Sequence, residues 1–132
     1  MKYSPADIVK EFIENVRSGV DTSKANELMC DLVVSHNIRS EEPNGEIKYQ
    51  RTPQQFVDHV QEMKDEFGDF KLEIKELFGD DSKAFVSFKQ YVDLENGKQK
   101  VEYINSIYRV ENDKICEYWL TLDRKGVELQ GN

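Results

Sequence analysis

The chain has 132 residues, a formal net charge of −8 at pH 7, and 38% hydrophobic and 11% aromatic residues. One domain spanning 1–132 accounts for that length, and aromatics spread along the chain argue for a packed core over disorder. The acidity argues against nucleic acid and, more mildly, against anionic ligands, and no run approaches the roughly 18 apolar residues of a membrane span.

The first segment, MKYSPADIVKEF, has charges where a secretory signal needs an apolar core, so a cytoplasmic location is expected. Ser4-Pro5-Ala6-Asp7 reads as a helix start, with Ser4 as cap and Asp7 as its capping-box partner. Ile8, Val9, Phe12, Ile13 and Val16 follow at helical spacing, and Gly19 ends the helix. Asp21 or Thr22 can start a short second helix that buries Ala25, Leu28 and Met29. Leu32 to Ile38 is rich in β-branched residues and predicts a strand. Glu41 to Gln50 contains Pro43, Asn44 and Gly45 and predicts a turn or short hairpin.

Thr52-Pro53-Gln54-Gln55 repeats the helix-start pattern, and Phe56, Val57, Val60, Met63 and Phe67 mark the apolar face of a helix ending near Gly68. The period then changes to two. Phe70, Leu72 and Ile74 alternate with charged residues, and Ala84 to Leu94 form a second alternating set. Val101 to Val110 and Ile115 to Asp123 are two more strands, joined by a turn at Glu111-Asn112-Asp113. Helices followed by an antiparallel meander predict an α+β domain with helices packed on one face of a curved sheet.

The last two strands are apolar on both faces. Tyr103, Asn105 and Ile107 share one side of the third strand, and Ile104, Tyr108 and Val110 the other. Ile115, Trp119 and Asp123 share one side of the fourth, against Cys116, Tyr118, Leu120 and Leu122. Helices cover one face only, so a homodimer through the sheet is expected.

Cys30 and Cys116 have no CxxC or Cys/His spacing, and two reduced thiols are the simpler expectation, with their proximity left open. His36 and His59 have no HExxH-like spacing, so no metal is assigned. A phosphate loop, a dinucleotide fingerprint and a GxSxG elbow are all absent, so no cofactor is assigned. Cofactor-free acid/base chemistry on a small, mostly apolar molecule remains, or binding alone.

Three stretches, LVVSHN (Leu32 to Asn37), VENDKI (Val110 to Ile115, preceded by Arg109) and EYWLTLD (Glu117 to Asp123), resemble the NTF2-like superfamily. Within it they are similar to the SnoaL-like polyketide cyclases and the ketosteroid isomerase-related proteins. The capped helix from Pro53 to Phe67 and the FGDFKLEI that follows extend the resemblance over nearly the whole chain. It implies a cone-shaped α+β fold with a pocket for a small apolar molecule, on which cyclases, isomerases, dehydratases and proteins without chemistry are all built.

The resemblance makes Asp123 the general base, as the matching aspartate is in the cyclases. Four residues separate it from Trp119, so the two share a side if no bulge intervenes, and a carboxylate beside an indole has its pKa raised. The other reading is a polar strand end paired with Arg124. His36 shares a face with Leu32 and Val34 and is expected to point inward as an oxyanion donor, or to be a buried histidine bonded to backbone or to Asp123. Phe12, Val16, Phe56, Val60 and Met63 are expected to wall the pocket, with Trp119, Tyr103 and Asn105 as further ligand contacts. Glu117 is expected to form an ion pair with Arg109. His59 reads as a boundary residue on its helix, and Glu62 to Glu66 as a solvated face.

Overall fold

The computed structural model describes residues 3–38, 46–123 and 128–129, and of residues 96, 122, 123, 128 and 129 the backbone alone. The turn expected around Pro43-Asn44-Gly45 and the Arg124-Lys125-Gly126 segment lie outside the described residues.

Ser4 caps α1 (Pro5–Glu11) through a capping box with Asp7. A π-helical turn, Phe12–Arg17, continues α1, and Ser18 N–H closes it onto Ile13 C=O at 3.2 Å. Gly19 follows at φ +81°, a conformation that favours glycine. After a 3₁₀ turn at Thr22–Lys24 comes the short α2 (Ala25–Leu28). Strands β1 (Met29–Ile38) and β2 (Glu46–Arg51) pair antiparallel. Thr52 and Gln55 form the second capping box, which starts α3 (Pro53–Phe67).

The meander consists of β3 (Lys71–Gly79), β4 (Lys83–Asp93), β5 (Gln99–Glu111) and β6 (Lys114–Asp123). Asn112 and Asp113 both have positive φ in the β5–β6 turn, as a tight hairpin requires. A two-residue β7 (Glu128–Leu129) pairs with β5. The main sheet runs β2-β1-β6-β5-β4-β3, with β1 and β6 parallel and every other pair antiparallel. No helix among the described residues is long and apolar enough to cross a membrane.

The expected α+β cone is present: an unclosed, curved sheet whose inner face packs on the helices. Ile8, Val9, Phe12, Ile13 and Val16 of the first helix, with Phe56 and Val60 of α3, meet Val33, Val86, Phe88, Ile104 and Tyr108 of the sheet. Burying such side chains contributes about 1.5–3 kcal/mol each.

Three sequence expectations need correction. Ile115 and Trp119 do not share a face. The β5–β6 register moves from Arg109↔Glu117 to Val110↔Ile115, which makes Cys116 the extra residue of a bulge and turns Ile115 into the core. His36 does not point inward. In β1 the buried set is Met29, Val33, Ser35 and Asn37, and Leu32, His36 and Ile38 belong to the opposite face. Finally, Cys30 and Cys116 are not separate thiols: they lie across β1 and β6 with Cα atoms 5.0 Å apart and form a disulfide.

Candidate functional site

A cavity of about 240 Å³ opens between α3 and the inner face of the sheet. Phe56, His59, Glu62, Met63 and Glu66 of α3 form one wall. The sheet supplies Asn37 from β1, Glu102, Ile104 and Tyr108 from β5, and Tyr118 and Leu120 from β6. Arg17 and Arg51 complete it. Apolar side chains and a few charged groups therefore face one space, which is the general character of a small-molecule site.

The polar interior is organised in pairs. Ser35 Oγ donates to Asn37 Oδ1 at 2.9 Å, and Gln90 Nε2 donates to Glu102 Oε1 at 3.2 Å. Arg17 is buried, with its guanidinium 5.5 Å from the Phe70 ring centroid and 5.6 Å from that of Phe88. Desolvation pulls its pKa down, opposed by Tyr108, Tyr118 and Glu102, yet a guanidinium starts so high that it keeps its proton. Burial pushes the Tyr108 phenol up, so it stays a neutral donor. Burial, reinforced by the charge of Arg51, holds the His59 imidazole below its usual range, so it is neutral at pH 7 and able to accept a proton.

The expected site residues other than Asp123 separate into three groups. Phe56 and Met63 line the cavity. Phe12, Val16 and Val60 are buried in the core behind it; the Phe12 ring is occupied by Phe56 at 5.2 Å and Tyr108 at 5.5 Å. His36, Trp119, Tyr103 and Asn105 lie on the outer face of the sheet, opposite the helices. Asp123 ends β6 with its backbone paired to Tyr103, and its side chain lies outside the described residues.

On that outer face His36 stacks on Trp119, centroids 5.2 Å apart and planes 6° from parallel. Its Nδ1 lies 2.8 Å from Glu46 and its Nε2 2.7 Å from Glu117. Glu117 also accepts from Arg109 Nε at 3.1 Å, the ion pair expected from the sequence. With both ring nitrogens facing carboxylates, the imidazolium is the matched form, and its pKa is raised chiefly by the Glu117 bond. This is a satisfied ion network. Among the described residues no three His, Cys, Asp or Glu side chains converge to hold a metal ion.

Sequence reasoning passed over Arg17, Asn37, Glu102 and His59 as cavity residues. Arg17 follows Ile13 by four positions, on the apolar stripe of the first helix, which is the signal that marks it. Asn37 and Glu102 are polar residues on mostly apolar strand faces, and such positions reveal an inner face only once a partner is visible.

These features define an α+β cone with a polar-tipped cavity. The SnoaL-like polyketide cyclase family model matches residues 7–131, and the chain belongs to that family. Three solved structures share the fold. IdmH from Streptomyces antibioticus is 16% identical, with 95% of this chain and 96% of that one covered and a TM-score of 0.74. A protein from Acidithiobacillus ferrooxidans described as a polyketide cyclase is 20% identical, with 96% and 94% covered and a TM-score of 0.74. An LEH-like epoxide hydrolase of M. tuberculosis is 14% identical, with 93% and 85% covered and a TM-score of 0.65. No curated protein matches the sequence.

Proposed function

We propose that the protein binds a small, mostly apolar molecule in the cavity under α3, and that any chemistry there is cofactor-free proton transfer. The supporting observation is the cavity itself: about 240 Å³, walled by Phe56, Met63, Ile104 and Leu120 and tipped by Arg17, His59 and Glu102. The volume lies below the roughly 300–1,000 Å³ of drug-sized sites, which favours a ligand of one ring or a short chain. The proton acceptor in this reading is His59, neutral at pH 7 and facing the cavity. Asp123, the base implied by the family resemblance, is the competing assignment.

Native mass spectrometry of the purified protein tests the binding step. A co-purified small molecule is expected, and Ile104→Trp, which fills the cavity, should release it. Retention by that variant would overturn the reading. Once a substrate is in hand, His59→Gln and Asp123→Asn separate the two bases: the correct one loses orders of magnitude in kcat and the other little.

A second proposal concerns assembly. Leu32 (49% exposed), Ile38 (42%) and Ile107 (42%) stand on the outer face, with Trp119 between strands carrying Ile38 and Ile107. An apolar face without helices over it supports a homodimer through the sheet, and a monomeric mass at micromolar protein would reject it. The proposed location is the cytoplasm, to be checked by fractionation.

A further inference from the structure

We propose that the inner end of the cavity is a carboxylate-binding site, in which Arg17 Nη1 donates to one oxygen of a small apolar monocarboxylate. The proposal rests on the reading of this cavity as a ligand site and specifies what the ligand carries.

Arg17 is only 5% exposed, and its Nη1 has no hydrogen-bond partner among the described residues. A buried charged donor left unpaired is costly, and native structures seldom leave one without a reason. The guanidinium carbon lies 5.5 Å from the Phe70 ring centroid and 5.6 Å from that of Phe88, and neither ring offers an acceptor in place of a hydrogen-bond oxygen. Glu102 acts on Arg17 through its charge and accepts from Gln90 Nε2, and Arg17 Nη1 itself has no hydrogen-bond acceptor among the described residues. The missing partner is therefore an acceptor that enters from the cavity Arg17 lines.

Charge selects among acceptors. A neutral carbonyl can accept one bond but adds no charge opposite the desolvated cation beyond that of Glu102. A carboxylate supplies both an oxygen in the plane of the guanidinium edge and the opposite charge. Arg51 lines the same cavity and adds a second guanidinium. The acids Glu62 and Glu66 lie on exposed turns of α3, and Glu62 faces His59 at 3.5 Å. Phe56, Met63, Ile104 and Leu120 demand that the rest of the ligand be apolar.

The net charge of −8 pointed mildly against anionic ligands. That charge acts over the surface and is screened within about 8–10 Å at ordinary ionic strength. A buried guanidinium facing a small cavity sets the field locally, so the two observations concern different parts of the molecule.

The test uses the whole chain and three pairs of probes: benzoate, phenylacetate and cinnamate against their primary amides, titrated by NMR. The carboxylates are expected to bind the wild type about tenfold more tightly than the amides and to shift the Arg17 Nε–H resonance. Arg17→Gln is expected to bring acid and amide within about twofold of each other. Equal affinity of acids and amides in the wild type, or an acid preference that survives Arg17→Gln, would overturn the carboxylate site while leaving the cavity a ligand site. Failure of both series to bind at millimolar concentration would overturn both readings. If Arg17→Gln does not fold, the wild-type acid-to-amide ratio and the Arg17 resonance decide.

Discussion

His36 Nε2 donates to Glu117 Oε2 at 2.7 Å across the parallel β1–β6 pair. The bond is the middle link of a chain that crosses four neighbouring strands: Glu46 on β2, His36 on β1, Glu117 on β6 and Arg109 on β5. Parallel pairing is the weaker kind per residue, and β1–β6 is the only such pair in the main sheet among the described residues. The network holds that junction from outside while the Cys30–Cys116 bridge spans it near the other end.

The network should make stability depend on pH. The folded-state pKa of His36 is raised above 6.5, first by the Glu117 bond, so its contribution is complete below 6.5 and lost as pH rises through the folded value. The pKa of Glu117 is lowered from 4.5, first by the His36 bond, so its contribution is complete above 4.5 and lost as pH falls through the folded value. Both act fully between 4.5 and 6.5. His36→Gln should flatten the fall in Tm on the alkaline side, and Glu117→Gln should bring the His36 pKa back towards 6.5 by NMR titration. A His36 titrating at or below 6.5 in the wild type would contradict the mechanism.

The outer-face row Phe78, Phe85, Ile107, Trp119 runs in register across β3, β4, β5 and β6. If a second copy covers it, a charge at its centre must disturb association before folding, because Ile107 is already partly exposed in the single chain. Ile107→Asp is expected to give a monomeric mass by light scattering with a circular dichroism spectrum like the wild type's. A dimer of unchanged affinity would move the interface elsewhere.

The Phe12 side chain tests what the core alone supports. It is fully buried between Phe56 and Tyr108, at centroid distances of 5.2 and 5.5 Å. Phe12→Ala should cost about 3–5 kcal/mol in denaturant unfolding. Thr52→Ala removes a cap whose hydroxyl accepts from Gln55 N–H at 3.1 Å, and should cost about 1 kcal/mol. A loss below about 1 kcal/mol for Phe12→Ala would mean that the site collapses around the deletion.

Local signals in the sequence carried to the structure wherever chemistry is local. Both capping boxes, at Ser4–Asp7 and Thr52–Gln55, and the Asn112-Asp113 turn depend on neighbours within a few residues. The facing of β1 does not. Its period of two is plain, but Leu32, Val34 and Ile38 make the wrong side look like the core, while the buried side carries Ser35 and Asn37, bonded to each other. A strand between a polar-tipped cavity and an apolar outer face inverts the usual rule, and alternation alone has no sign. The bulge at Cys116 is likewise silent until β5 is laid beside β6. The cavity's charged residues come from the first helix, β2, α3 and β5, and only the fold brings Arg17, Arg51, His59 and Glu102 to one place.

The two histidines should pull stability in opposite directions. His59 is held below 6.5 first by burial and then by the charge of Arg51, with Glu62 opposing. In the unfolded chain it binds a proton more readily than in the folded one, so acid favours unfolding: its cost starts as pH falls below 6.5 and grows until the folded value is passed. His36 loses its contribution on the other side of 6.5. The wild type should therefore be most stable near 6.5, with slopes of opposite cause on the two flanks. His59→Gln should flatten the acid flank just below 6.5 and leave the alkaline flank, while His36→Gln should do the reverse. Thermal melts of the two variants on both sides of 6.5 check both assignments, and a His59 resonance titrating above 6.5 would contradict the burial-lowered pKa on which its place as the cavity's proton acceptor rests.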